Sequence, residues 1–304
     1  MSIANLNSAW QRVSENRGCC GSDGITIERF GLSLEQNLNS MSNSIRSGRY
    51  HPYPLLRFSI PKRKSKGFRF LSVPTVRDRV AQAAAFLATK EIFEAEFEDV
   101  SHAYRKGRGV ITAVAEIKKW RDKGYRYVVD ADIEAYFDNV PHDLLLHKLG
   151  NLLPDPPVLR LFEKWIKVEV YDGVRIWTLD KGIPQGSVVS PVLANLFLDE
   201  LDETLMSLNK KLVRYADDFV ILSKTEAEAQ ENIELTDMIL EDMKLDLNPV
   251  KTKIESFDKG FKFLGAIFLY NDVYLPFPEK RPKKQPLKLP PPLSLMRYLE
   301  LRNK

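Results

Sequence analysis

Cysteine is almost missing from this chain: Cys19 and Cys20 are the only two in 304 residues, and they are adjacent. Such a pair supports neither a disulfide framework nor a four-ligand zinc site. A reducing, cytoplasmic setting is therefore expected. No apolar run is long enough to span a membrane, and the N-terminus lacks a signal-peptide pattern, so no membrane partner is expected. Internal repeats are also absent. Net charge is small, with 45 Lys and Arg against 41 Asp and Glu, but it is unevenly spread. Residues 91–99 are an acidic helical stretch, whereas residues 63–67 and the tail are basic. That pattern suits a directed electrostatic footprint on nucleic acid better than a uniformly sticky surface. The length allows one large domain or two, and 44% hydrophobic residues are ample for a core.

What the chain does have is acid at strand ends. Tyr215-Ala216-Asp217-Asp218 lies between Leu212-Val213-Arg214 and Phe219-Val220-Ile221-Leu222, a strand, tight turn, strand pattern. Asp tolerates the unusual dihedrals of a hairpin tip, so a paired Asp there is sterically reasonable. Adjacent carboxylates repel unless a cation sits between them, and a hard divalent metal takes oxygen ligands while leaving room for phosphate. A solvated turn would explain one such pair; a second acidic strand end argues against it. Tyr127 to Asp138 begins as a strand with Val128, Asp130 and Asp132 on one face and Tyr127, Val129 and Ala131 on the other. A helix start follows, with an Asn or Asp cap and Pro141 in its first turn. Neighbouring strand ends bearing carboxylates make a two-metal phosphoryl-transfer site, its ions about 3.5–4 Å apart.

Between these elements, Gly182-Ile183-Pro184-Gln185-Gly186-Ser187 reads as a loop whose backbone can approach a ligand closely. The apolar run through Leu198 reads as a buried helix. The loop's place between two acidic elements gives it a task, holding a nucleotide or template strand against the metals. Upstream, residues 57–62 and 68–74 are short strands joined by the basic turn 63–67. Charge runs are usually solvated faces, which suits Arg63, Lys64 and Lys66. Lys62 and Arg69 flank the turn and are placed to fold over a triphosphate, Arg as a rigid fork and Lys as a point charge. Residues 75–86 read as an amphipathic helix after Pro74. Residues 101–109 form a basic turn with one aromatic. Phosphate contacts by Arg105 and Arg108 with stacking at Tyr104 are one reading; a loop pinned by ion pairs is an equal one.

Taken in order, these motifs resemble reverse transcriptases of the bacterial group II intron type over nearly the whole chain. The resemblance implies an α+β fold: right-hand polymerase fingers and palm, an antiparallel palm sheet backed by helices, and a thumb absent or minimal. Asp132 corresponds to the first catalytic carboxylate and Phe137 to the guard of the sugar 2′ position. Residues 182–191 match the Pro-Gln-Gly loop, placing Gln185 near the nucleotide and Gly186 near the template. Tyr215 to Asp218 match the Tyr-x-Asp-Asp hairpin. Residues 247–253 match the segment whose lysine, here Lys251, assists pyrophosphate departure. Residues 261–265 resemble the primer-gripping hairpin, which implicates Phe263 and Gly265. Lys62 and Arg69 match fingertip residues that contact the triphosphate. An RNA-directed DNA polymerase is implied, with two Mg2+ ions, or Mn2+ in their place, held by Asp132, Asp217 and the Ile133 carbonyl. Asp218 would tune that site. RNA template, a DNA or RNA primer and deoxynucleoside triphosphates are the implied partners.

The expected division is fingers over 1–120, palm over 121–270 with some fingers helix supplied by the early palm, and a Pro-rich basic linker with a short C-terminal helix over 271–304. Prolines from Pro276 to Pro292 alternate with lysine and arginine, as in a semi-rigid extended linker. Leu293 to Leu301 is the one helical stretch there, expected to project from the palm, with a partner docking on it or on the linker. Group II intron proteins continue instead into a helical thumb, an RNA-binding maturase region and often a nuclease, so splicing and self-mobility are not expected. Residues 101–105 with 129–133 look most like reverse transcriptases of CRISPR loci, implying spacer acquisition from RNA beside an integrase complex. Two classes compete: a defence polymerase of the abortive-infection kind making untemplated DNA, and a non-catalytic scaffold in an integrase complex. The intact carboxylates argue against the scaffold.

Overall fold

Strand-forming residues alternate with polar ones in several parts of the chain, and among the described residues they build three sheets. The computed structural model describes residues 1–61, 67–275 and 289–302. Its contacts divide the chain into two units that interleave in sequence. The first comprises Met1–Phe93, Pro141–Pro191 and Pro286–Lys304, the second Glu94–Val140 and Val192–Gln285. These units differ in their bounds from the division expected at residues 120 and 270: residues 94–120 fall in the second unit and residues 141–191 in the first.

The first unit is organised on a four-stranded sheet in the order Phe68–Val73, Leu55–Pro61, Glu169–Tyr171, Ile176–Thr178. Leu56, Phe58, Val73 and Tyr171 form its buried apolar cluster. The helix Val76–Glu96 follows, and its start is not amphipathic as expected: Val76 and every residue from Asp78 to Ala85 are buried. Asp78 tolerates burial because Tyr50 and Thr75 hydroxyls donate to it at 2.7 Å and the Tyr53 N–H at 2.9 Å.

The C-terminal helix, Leu295–Arg302, packs back on this unit. The Leu293 N–H donates to the Ser22 carbonyl at 2.6 Å and the Tyr298 hydroxyl to Glu169 at 2.8 Å. Leu293 and Leu301 pack against the sheet's apolar cluster. The expectation of a projecting terminal segment is thus corrected, since Leu293 and Leu301 are covered by the chain itself. The proline-rich linker over 276–288 lies outside the described residues.

The second unit holds a four-stranded antiparallel sheet ordered Lys211–Tyr215, Asp218–Ser223, Tyr127–Asp132, Lys253–Ser256. Val128, Val213, Val220 and Leu222 pack with Ala113, Val114 and Ile117 of helix Val110–Asp122 and with Phe257, Phe261 and Phe268. On the opposite face, Ser223 accepts a hydrogen bond from Asn232 of helix Glu226–Asp242 at 2.9 Å. Helices therefore cover both faces, where cover was expected only behind the carboxylates. Asp132 and Asp218 escape it because they end their strands, while Val128 and Leu222 carry the packed patch at the other end.

Candidate active site

An alanine makes the turn that presents the acids. Tyr215 pairs with Asp218, leaving Ala216-Asp217 as a two-residue connection. Ala216 has φ 59°, and neither aspartate has a positive φ. Positive φ at the first central residue fits the twist of a tight hairpin, at about 1–2 kcal/mol for a residue with a Cβ. Ala216 takes the positive φ, leaving both carboxylates on ordinary backbone.

Arg214, fully buried, lies under the turn. Its Nε donates to Asp202 at 2.7 Å, and a second, shorter bond reaches the other oxygen of the same carboxylate. It also donates to Asn195 Oδ1 at 3.0 Å and to the Ala216 carbonyl at 3.1 Å. The last bond ties down the strained residue. Asp202 and Asn195 come from helix Ser190–Ser207. The Arg214 backbone bonds Val100 and His102, and Asn195 donates to the Ala103 carbonyl at 2.8 Å, so one network fixes the turn and the adjoining loop. The sequence reading missed this network. Its signal was a cation inside an apolar strand, with Asn195 and Asp202 seven residues apart on one face of a helix.

Register sets Asp132 opposite Asp218. Lys251 Nζ lies 2.9 and 2.8 Å from the two Asp132 oxygens. Desolvation, then the charges of Asp217, Asp132 and Asp130, push Asp218 up to about 6. Asp217 is raised by desolvation and by Asp132. Carboxyls raised by folding favour the folded state when protonated; for Asp218 that stability is present below the ordinary pKa near 4 and lost as pH rises through about 6. A cation reverses the penalty. Among the described residues no three acidic, histidine or cysteine side chains converge as a metal cage. Magnesium ordinarily takes one or two carboxylates and completes its shell with water and substrate phosphate, so this crowded oxygen donor set fits it. Ile133 bridges Leu247 through the Glu134 N–H to the Asp246 carbonyl and the Asn248 N–H to the Asp132 carbonyl. That pairing leaves the Ile133 carbonyl outside the ladder.

Phe137 follows Ala135, whose φ is 45°, and its ring meets the buried Tyr136 ring edge-on at 5.4 Å. The Tyr136 hydroxyl donates to the Ala194 carbonyl at 2.6 Å, which fixes the pair. Tyr104 is exposed and feels the charges of Asp217 and Asp218, which, behind desolvation, raise its hydroxyl. Arg105 is corrected: it is buried, and its guanidinium is engaged with Glu94 at 2.9 Å and with the carbonyls of Ser101, Phe97 and Glu98. A fork so occupied has no donors for template. Arg108 bonds the Asp99 carboxylate and, at 2.7 Å, its carbonyl, so the pinned-loop reading holds for both arginines. Phe263 is corrected as well, being buried in the apolar cluster; the turn Leu264-Gly265, with φ 51° and 84°, is what the hairpin presents. Two positive φ values are the signature of a type I′ hairpin.

The other site residues lie in the first unit. Arg69 is exposed on its strand, and Lys62 falls outside the described residues. The Gln185 carbonyl accepts from the Ser72 N–H at 2.7 Å. Gly186 has φ 113°, and a Cβ there would lie 2.8 Å from the Ser72 carbonyl oxygen. Gln82, buried in its helix, holds the loop from below: its Oε1 accepts from the Ser187 hydroxyl and the Val188 N–H, both at 3.0 Å. Gly186→Ala should destabilise by about 1–3 kcal/mol through strain and close contact. It should also raise the apparent KM for nucleotide; melting and steady-state kinetics together check this, and two unchanged values contradict it.

Residues 60–268 match the family described as Reverse transcriptase (RNA-dependent DNA polymerase). Protein YkfC of Escherichia coli strain K12 is 32% identical over 284 residues, which cover 81% of this chain and 74% of that one. The group II intron-encoded protein LtrA of Lactococcus lactis is 33% identical over 206 residues, 68% of this chain and 34% of LtrA. The chain thus spans about a third of LtrA's length and about three quarters of YkfC's. Telomerase from Candida tropicalis superposes with a TM-score of 0.59 at 13% identity, over 83% of this chain and 50% of that one. That likeness bears on the fold alone, an α+β fingers-and-palm polymerase. No helix among the described residues is long and apolar enough to cross a membrane. With the family matched across both acidic strand ends and the loop between them, the chain belongs to the reverse transcriptase (RNA-dependent DNA polymerase) family, as a group II intron-like member.

Proposed function

We propose that this chain copies RNA into DNA by metal-dependent nucleotidyl transfer, with the second unit as palm and the first as fingers. The observation that carries this reading is the register-fixed opposition of Asp132 and Asp218, with Asp217 on the adjoining turn. Asp132, Asp217 and the Ile133 carbonyl would hold two Mg2+ ions, or Mn2+ in their place, with Asp218 tuning the site. Such ions, when bound, neutralise the triphosphate and lower the pKa of the primer 3′-hydroxyl. Lys251 Nζ donates to Asp132 and is placed to assist the departure of pyrophosphate. Arg69, with Lys62, holds the triphosphate, and Gln185 orients the nucleotide. Tyr104 stacks a template base, while Gly186 and Gly265 leave room for the strands. Extension of a primer by deoxynucleotides, with RNA template and without it, tests the reading. Template-dependent product supports it. Product without template favours the untemplated defence polymerase, and no product in either arm favours the scaffold.

Phe137 is the sugar gate in this reading, its ring crowding a ribose 2′-hydroxyl. Phe137→Ala should raise ribonucleotide incorporation relative to deoxyribonucleotide, read by competition assay. Unchanged selectivity in a folded variant moves the gate elsewhere.

The finer reading is that the cDNA feeds CRISPR spacer acquisition beside an integrase complex. Support comes from the likeness of residues 101–105 and 129–133 to reverse transcriptases of CRISPR loci. Retention on a purified CRISPR integrase complex is the expected result; no retention contradicts it.

A further inference from the structure

The first unit's sheet carries a surface that the polymerase chemistry does not use. In register, Ser59 faces Phe70 and Pro61 faces Phe68, so both phenylalanines share a face with Arg57. Arg69 and Leu71 point to the other face, where Leu71 meets the Gly186 loop. Phe68 and Phe70 are 64% and 51% exposed. The Arg57 guanidinium lies 4.4 Å from the Phe70 ring centre and 5.8 Å from that of Trp177, and Arg175 lies 4.8 Å from Trp177. Cation and ring therefore alternate from Phe70 through Arg57 and Trp177 to Arg175, around an open cleft of about 470 Å³. Asp172 pairs with Arg175 at 3.4 Å, whereas Arg57 has no acidic partner among the described residues.

Large exposed rings beside an uncompensated guanidinium are poor packing. As a platform for a polyanion with flat bases they are well matched. The rings offer open π-faces for stacking, and the Arg57 fork keeps its donors for phosphate. Phe70 and Trp177 stand on the two edge strands of the sheet, their ring centres 4.4 and 5.8 Å from the Arg57 guanidinium, which lets each ring take its own base. We propose that this face binds single-stranded RNA, stacking bases on Phe70 and Trp177 and holding phosphate with Arg57 and Arg175. The choice of RNA rests on the function proposed above.

Anisotropy of a labelled 12-nucleotide single-stranded RNA, without primer or nucleotides, tests it on the full chain. Arg57→Ala/Phe70→Ala should weaken binding at least tenfold and flatten its salt dependence, while Asp217→Asn binds as wild type. The same double variant should keep normal extension on a template with one unpaired base. Binding should also quench Trp177 fluorescence, a signal missing in Trp177→Phe. Unchanged affinity in the double variant overturns the proposal, as does equal loss on fully paired RNA, which would mark a generic charge effect, or a surface for a protein. Should the double variant fail to fold, Phe70→Leu, at an exposed position, carries the same test on ring stacking. Failure of the polymerase reading would appear as template-independent extension, which leaves these binding results untouched.

Discussion

Asp217→Asn and Asp132→Asn should each lower primer extension by several orders of magnitude while fold and RNA binding survive. Asparagine keeps the shape of the side chain and removes the charge that neutralises a dication between phosphates. The effect is specific because of how the acids are held. Asp132 is fixed opposite Asp218 by the strand register, and Asp217 sits on a two-residue turn with no slack. Stability should not fall with activity. Burial already raises the Asp217 carboxyl, so at neutral pH its charge opposes folding, and asparagine relieves that cost. Primer extension and thermal melting of the two variants check the pair of outcomes. Near-normal extension by both contradicts the metal-site assignment.

Arg214→Met should be the most damaging change away from the carboxylates. Arg214 and Asp202 are both fully buried and paired, and methionine would leave Asp202 as an uncompensated buried charge. Breaking such a pair costs about 3–5 kcal/mol, or roughly 10 °C in melting temperature for a chain of this size. Extension should fall too, because the Ala216 carbonyl loses the donor that holds the turn. Arg214→Met/Asp202→Leu separates the two roles. Apolar replacement of a whole buried pair is often neutral or better, so the double variant should regain stability without regaining full activity. A melting shift under about 2 °C in the single variant contradicts this network.

The acidic strand ends were legible because charge stands out against a Val- and Ile-rich strand, and period-two alternation assigns it a face. Tyr215, Asp217, Asp218 and Asp132 were therefore found with the correct strand context. Residues whose role depends on burial were misread. Arg105 looks in sequence like any basic loop residue, yet it caps carbonyls inside the second unit. Phe263 lies in a gripping motif, yet it belongs to the aromatic core behind the turn. Arg214 and Gln82 went unnoticed because each acts on a distant segment, the turn at Ala216 and the loop at Ser187. The bounds of the interleaved units were illegible for the same reason: long-range contacts leave no local periodicity. Proline content argued for a projecting tail, but it does not determine where the residues after the prolines pack, and Leu293 returns to Ser22.

RNA-templated synthesis is tested most directly by sequencing the product made from one defined heteropolymeric RNA, a complementary primer and deoxynucleotides in Mg2+. The expected product is DNA complementary to that RNA, absent when the template is left out and absent with Asp217→Asn. DNA of the same composition without template, or full-length product from Asp217→Asn, would contradict it.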